Sequence, residues 1–287
     1  MTRLTTLQQI SSPGSPDVPN EDGSGARGRF AWIIDGATGV TGHQLTSAAS
    51  DASWLSGRLG ELLAASAPTG IALAALERDV DAAFSAASAG AAQSADQGAP
   101  SACLGLVEVQ GTSRTRRVTG AFLGDVVALV PTPDGVVRWS DERAKPFEQL
   151  TLASLGKAGG GAVSEATRAQ ILENRASLNR PDGYWVVHPR RPWAGHELSF
   201  EAEVEAGRPI VLATDGFMRL VDVFGVHTDV TLYDALAAGR AAGLLDELRR
   251  LERAEGGSQV CPGMEARPRV KVHDDATVIV VVAEAGP

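Results

Sequence analysis

The chain has 287 residues, of which 44% are hydrophobic and 21% charged, with a formal net charge of −9. That is ordinary globular composition; it contains no apolar run of about eighteen residues of the kind that crosses a membrane, and its acidic balance argues against nucleic acid, whose binders present basic patches to phosphate. Cys103 and Cys261 are too few for a disulfide framework and sit in no metal-ligand spacing.

The start, Met1-Thr2-Arg3-Leu4, lacks the pattern of a secretory leader, so the expected compartment is the cytoplasm, with no membrane partner. Abundant Ala and Gly, with Arg well ahead of Lys, suggest a GC-rich bacterial genome. Leu4 to Ile10 reads as a first strand, followed by a Ser-Pro-Gly loop, Ser11 to Pro19, that delivers Asn20-Glu21-Asp22. A strand over Arg29–Ile34 comes next, then helices over about Leu45–Ala65 and Ile71–Ala87, the second with an apolar stripe of Leu73, Leu76, Val80 and Phe84. From Cys103 the period turns strand-like: Cys103–Val109, Arg117–Phe122, Val126–Val130 and Gly135–Trp139 predict an antiparallel meander.

Glu148–Leu155 and Ser164–Leu178 predict two helices around the glycine-bearing segment 156–161, a helical flap insertion at about 143–183. Strands over Tyr184–His188, Leu198–Val204 and Pro209–Thr214 follow, then helices over Leu232–Ala242 and Leu244–Arg253. Val270–Ala283 predicts a closing strand pair or one bent strand. No repeat or long linker divides the chain, so 1–287 is expected to form a single domain. The fold class is α+β: an antiparallel β-sandwich flanked by helices on both outer faces, in four layers, α-β-β-α.

The chemistry is carried by acids at strand ends. Phe30-Ala31-Trp32-Ile33-Ile34 runs into Asp35-Gly36, Pro209 to Thr214 runs into Asp215-Gly216, and Asp274-Asp275 opens the run Ala276 to Val282. One Asp-Gly after a strand is most often a turn, and Asp125, after Gly124, reads equally as a turn residue or a metal ligand. The repetition, with Glu21-Asp22 upstream, favours the chemical reading. Antiparallel strands would bring these acidic ends to one edge of a sheet, where the carboxylates repel one another unless a cation lies between them. Oxygen-only ligands suit Mg²⁺ or Mn²⁺.

The order Glu21-Asp22, Asp35-Gly36, Gly124-Asp125, Thr214-Asp215-Gly216 and Asp274-Asp275-Ala276-Thr277 resembles the metal-dependent protein phosphatases of the 2C type, over about residues 18 to 283. The resemblance implies two Mg²⁺ or Mn²⁺ ions at one end of a β-sandwich. Asp35 would bridge both ions, Glu21 and the Gly36 carbonyl would complete one, and Asp215 with Asp274 would hold the other. Asp22 would orient a water, and the activated water would attack phosphorus in line. Asp125 would help hold a third, weaker ion.

The sequence departs from the family pattern in four places. Ala37 replaces the histidine proposed as general acid, and none of His43, His188, His196, His227 or His273 falls at that position. Asp17 stands where a phosphate-binding arginine is expected, leaving phosphate to the metals or to an arginine such as Arg27 or Arg29. Arg219 stands where the second acid of the third metal site belongs, with Asp222 three residues on as a substitute. The last motif reads Asp274-Asp275 rather than Asp-Asn. The expected activity is a serine/threonine protein phosphatase with a phosphorylated protein as partner. The alternatives are a phosphatase of a small phosphorylated molecule and a catalytically inactive phosphatase-like binding or regulatory protein.

Overall fold

Runs without polar alternation, such as Phe30 to Ile34, can form strands only where both faces of the sheet are covered. The computed structural model, which describes residues 2–38, 44–89, 98–154, 165–255 and 272–284, covers them from both sides. His43, Cys261, the 156–161 segment and residues 270–271 of the expected closing strand lie outside the described residues.

One five-stranded sheet has the order β1 (Arg3–Ser12), β10 (Ala276–Glu284), β9 (Ile210–Ala213), β6 (Val127–Thr132) and β7 (Gly135–Trp139). The other has the order β2 (Asp22–Arg27), β3 (Phe30–Ala37), β4 (Ser101–Gln110), β5 (Thr115–Leu123) and β8 (Leu198–Glu205). All pairings within both sheets are antiparallel. Helices α1 (Asp51–Ser66) and α2 (Leu73–Ala87) cover the second sheet, packing Leu55, Leu59, Leu63 and Val80 against Phe30, Trp32 and Ile34. Helices α5 (Asp215–Asp222), α6 (Asp229–Ala237) and α7 (Ala241–Glu255) cover the first, packing Phe217, Leu232, Leu236 and Leu248 against Val278 and Val280. The alternate residues, Ala31 and Ile33 of β3 with Ile279 and Val281 of β10, meet in the core between the sheets. This is the expected four-layer α-β-β-α sandwich. No helix among the described residues is long and apolar enough to cross a membrane.

Four local expectations change. The meander is split: β4 and β5 lie in one sheet, β6 and β7 in the other, and the chain crosses between them at Gly124-Asp125. Tyr184–His188 makes only isolated bridges, to Leu178 and Ala102, because the Asn179 side chain takes the place of a strand partner. Its Nδ2 donates to the Val186 carbonyl at 3.0 Å and its Oδ1 accepts the Val186 amide at 2.9 Å. Helix α1 begins at Asp51, later than expected, where Ser50 and Ser53 form a capping box and the Asp51 carboxylate accepts the amides of Leu45 and Thr46. The described part of the closing segment is a single strand, β10. Helices α3 (Lys145–Ser154) and α4 (Glu165–Ala176) pack together, joined by Asn174 Nδ2, which donates to the Phe147 carbonyl at 2.7 Å and to Thr151 Oγ1 at 2.8 Å.

Candidate active site

The acidic ends meet at one end of the sandwich, and they come from both sheets rather than from the edge of one. Asp35, near the end of β3, lies opposite Asp22 at the start of β2 and opposite Cys103 of β4. In the other sheet β9 runs into Thr214, the N-cap of α5, so Asp215 falls in the first turn, where its charge faces the positive end of the helix. Thr214 stitches the two halves together. Its amide donates to the Thr277 carbonyl at 3.0 Å. Its hydroxyl accepts the Thr277 amide at 3.0 Å and donates to Asp22 Oδ2 at 3.0 Å.

The glycines of the two Asp-Gly pairs serve close packing rather than a turn conformation, since neither is among the positive-φ residues. A Cβ on Gly36 would lie 2.5 Å from the Glu21 carbonyl oxygen and 2.6 Å from Ser56 Oγ, and one on Gly216 would collide with the Asp275 carbonyl oxygen. The Gly36 amide donates to the Glu21 carbonyl at 3.1 Å, and Thr38 Oγ1 donates to Glu21 Oε1 at 2.5 Å. Asp275 holds the 11–21 loop: its Oδ1 accepts the Gly14 amide and its Oδ2 the Glu21 amide, both at 2.8 Å.

Burial and mutual repulsion raise these carboxyls. Asp35 is pushed well above the ordinary carboxylate range, first by burial, then by the charges of Asp215 and Asp22 and by a hydrogen bond with Asp215. Asp22 is pushed up to about 8, chiefly by burial and further by the charges of Asp275 and Asp215, against hydrogen bonds from Thr277 and Thr214. Carboxyls crowded in this way favour the protonated form unless a cation lies between them. The native chain therefore holds protons that the unfolded chain releases near pH 4, so stability is full below that pH and is lost as pH rises toward 8. The metal-free protein is expected to melt at a lower temperature at pH 8 than at pH 5.5. Mn²⁺ should raise the melting temperature more at pH 8, which scanning fluorimetry at both pH values checks.

Asp35, Gly36, Asp125, Asp215 and Asp274 line a cleft of about 440 Å³, whose other wall is built by Phe147, Glu148 and Leu152 of α3, Ile171 and Arg175 of α4, and Tyr184. Sequence reading missed Glu148 as a site residue. It stands at the exposed rim, yet loss of solvent around its carboxyl, then a hydrogen bond with Asp125 and the charge of Asp125, raise it to about 9. Burial, then the charges of Asp125 and Asp35, likewise push up the Cys103 thiol.

Asp222 is not brought to the cleft. Both its oxygens bind Arg138, at 2.9 and 2.6 Å, because the chain direction of α5 turns it toward β7. Arg219 does line the cleft, but its Nη1 donates to the fully buried Glu252 at 2.6 Å and its Nη2 to the Val272 carbonyl at 3.2 Å. Arg249 donates to Glu252 Oε2 at 2.7 Å, to the Asp274 carbonyl at 2.8 Å and to the Ser12 carbonyl at 3.0 Å, and His273 Nδ1 lies 3.1 Å from Glu252. Where a third metal acid was expected, the chain instead carries a buried charge network that fixes the segment bearing Asp274. Arg27 and Arg29 are not at the site either. They sit at the far end of the β2–β3 hairpin, five pairs from Asp22, about 17 Å along a strand, and Arg29 is paired with Glu108 at 2.5 Å. His196 stacks on Trp185, His227 contacts Glu247, and His188 is buried with its Nδ1 accepting the Arg190 amide at 3.1 Å, so none of these replaces the missing histidine.

Among the described residues no three His, Cys, Asp or Glu side chains are gathered at coordination spacing. The acids are held by hydrogen bonds of their own, Asp22 to Thr214, Glu21 to Thr38 and Asp275 to two amides. The donor set nevertheless fits a hard divalent cation: it is all oxygen, half-buried and self-repelling, with a raised carboxyl whose proton a cation would displace.

No family model matches the chain, and no curated protein matches it. Solved structures do. The Mycobacterium tuberculosis serine/threonine phosphatase PstP/Ppp aligns at 17% identity and a TM-score of 0.53, over 98% of each chain. The catalytic domain of PstP in complex with two manganese ions aligns at 18% identity and 0.54, over 99% of each chain. The serine/threonine phosphatase Stp1 of Staphylococcus aureus aligns at 16% identity and 0.52, over 99% of this chain and 96% of its own. The chain is therefore built on the fold of the 2C-type metal-dependent serine/threonine phosphatases.

Proposed function

We propose that this chain is a metal-dependent phosphomonoesterase that removes phosphate from phosphoserine or phosphothreonine in proteins. The observation that carries the reading is the meeting of Asp35 and Asp215, delivered by different sheets, with Asp125 and Asp274 in the lining of one cleft. Asp35 would bridge two ions, with Glu21 and the Gly36 carbonyl on one and Asp215 and Asp274 on the other. Asp125 is the one remaining candidate for a third ion. When bound, such ions lower the pKa of a water and offset charge on the phosphoryl oxygens. Asp22, whose Oδ2 accepts the Thr214 hydroxyl, would orient that water. Cys103, half-buried and with its thiol pushed up, is unsuited to be a nucleophile, which favours direct attack by water.

A second reading, a phosphatase of a small phosphorylated metabolite, draws on the cleft itself. At about 440 Å³, with Phe147, Leu152, Ile171 and Tyr184 on its wall, it falls in the range of small-ligand sites. Hydrolysis of p-nitrophenyl phosphate and of a phosphothreonine peptide, each with Mn²⁺ and with a chelator, tests both. Metal-dependent turnover of both substrates, faster on the peptide, supports the protein phosphatase. Turnover of the small ester alone supports the metabolite enzyme. Folded, Mn²⁺-supplied protein that turns over neither contradicts the phosphatase reading and leaves an inactive binding protein.

A further inference from the structure

A phosphoryl group entering this cleft meets the carboxylates of Asp35, Asp125, Asp215 and Asp274 and a largely apolar opposite wall, so binding it calls for a fixed cation. Among the described residues two cationic side chains line the cleft, Arg175 and Arg219. Arg219 is committed to the buried Glu252. Arg175 is held differently: its Nη2 donates to the main-chain carbonyls of Thr38 at 2.6 Å and Ala37 at 3.3 Å, immediately after Gly36. Neutral carbonyls fix the guanidinium without cancelling its charge. An arginine stays protonated under these conditions, and its planar fork suits two phosphate oxygens at once.

The placement is rigid. Arg175 lies in the last turn of α4, which Asn174 pins to α3, and Arg191 Nη1 donates to the Arg175 carbonyl at 3.3 Å and to the Leu178 carbonyl at 3.0 Å. Asp17, at the position where a phosphate-binding arginine was expected, is exposed and of the wrong charge. We infer that Arg175, supplied by the helical segment between β7 and β8, binds the phosphoryl group of the substrate, doing from the opposite wall what no arginine near Asp17 can do. The inference rests on the phosphomonoesterase reading and names the residue that recognises its substrate.

The test compares Arg175→Met and Arg175→Lys with the wild type in the Mg²⁺-loaded full chain. Calorimetric titration with inorganic phosphate is read beside KM and kcat for p-nitrophenyl phosphate, with Mn²⁺ affinity and melting temperature as controls. Arg175→Met is expected to weaken phosphate binding about 10- to 100-fold, the scale of a charged hydrogen-bonded pair, and to raise KM to match while Mn²⁺ affinity holds. Arg175→Lys should recover part of the phosphate affinity. A wild type that turns over and binds phosphate, with Arg175→Met equal to it or altered only in melting temperature, would overturn the inference alone and leave Arg175 as an anchor for α4. A wild type that does neither would overturn the phosphomonoesterase reading and this inference with it.

Discussion

Asp35→Asn is expected to lower metal-dependent turnover on the order of a thousandfold, about 4 kcal/mol in the barrier, without loss of the fold. The amide keeps the size of the carboxyl and can still bond Asp215, so the contact between the two sheets survives. It removes one of two groups that repel each other, and the metal-free protein should be no less stable than the wild type at pH 8. The stabilisation that Mn²⁺ gives the wild type should disappear. Steady-state rates and metal-dependent melting, measured on one preparation, check both halves. Wild-type rates in the variant would remove Asp35 from the reaction.

Glu252→Ala is expected to cost about 3–5 kcal/mol of stability, the range found when one partner of a buried ion pair is deleted. Glu252 is wholly buried and accepts from Arg219, Arg249 and His273; without it two guanidinium groups stay inside the protein with their principal counter-charge gone. The loss should reach the site as well, because Arg249 and Arg219 also hold the carbonyls of Asp274, Val272 and Ser12. Chemical denaturation measures the first effect, and weaker Mn²⁺ binding at a temperature where the variant is folded measures the second. A loss below about 1 kcal/mol, the scale of an exposed pair, would contradict the account of this network.

Much of the sandwich was legible because its strands are continuous β-branched runs that only two-sided burial can satisfy, and α1 and α2 carry plain helical stripes. Asp35, Asp215 and Asp274 stood out for the same reason: each borders such a run, the first two at its end and Asp274 at its start. β2 was not legible. Its sequence, Asp22-Gly23-Ser24-Gly25-Ala26-Arg27, has no apolar alternation, and it is a strand because β3 pairs with it along its whole length. Helix α5 was hidden by the Asp-Gly that opens it, which reads as a turn until the packing of Gly216 against Asp275 is known. The division of the meander between two sheets is likewise absent from its period, since strands of one sheet and of two alternate alike. Arg175, Glu148 and the Glu252 network escaped for a common reason. Arg175 meets Thr38 across 137 residues, and Arg219 meets Glu252 across 33. Such pairings are set by how helices dock, and no local spacing records them.

The central claim is that a divalent cation binds among Asp35, Asp215 and Asp274 and displaces the proton from the raised Asp35 carboxyl. Calorimetric titration of the metal-free chain with Mn²⁺ at pH 7, repeated in buffers of different ionisation enthalpy, counts the protons released. Saturable binding with release of about one proton or more is the predicted result, as metal must displace protons from raised carboxyls. Binding without proton release, or no binding by the folded wild type, would contradict it.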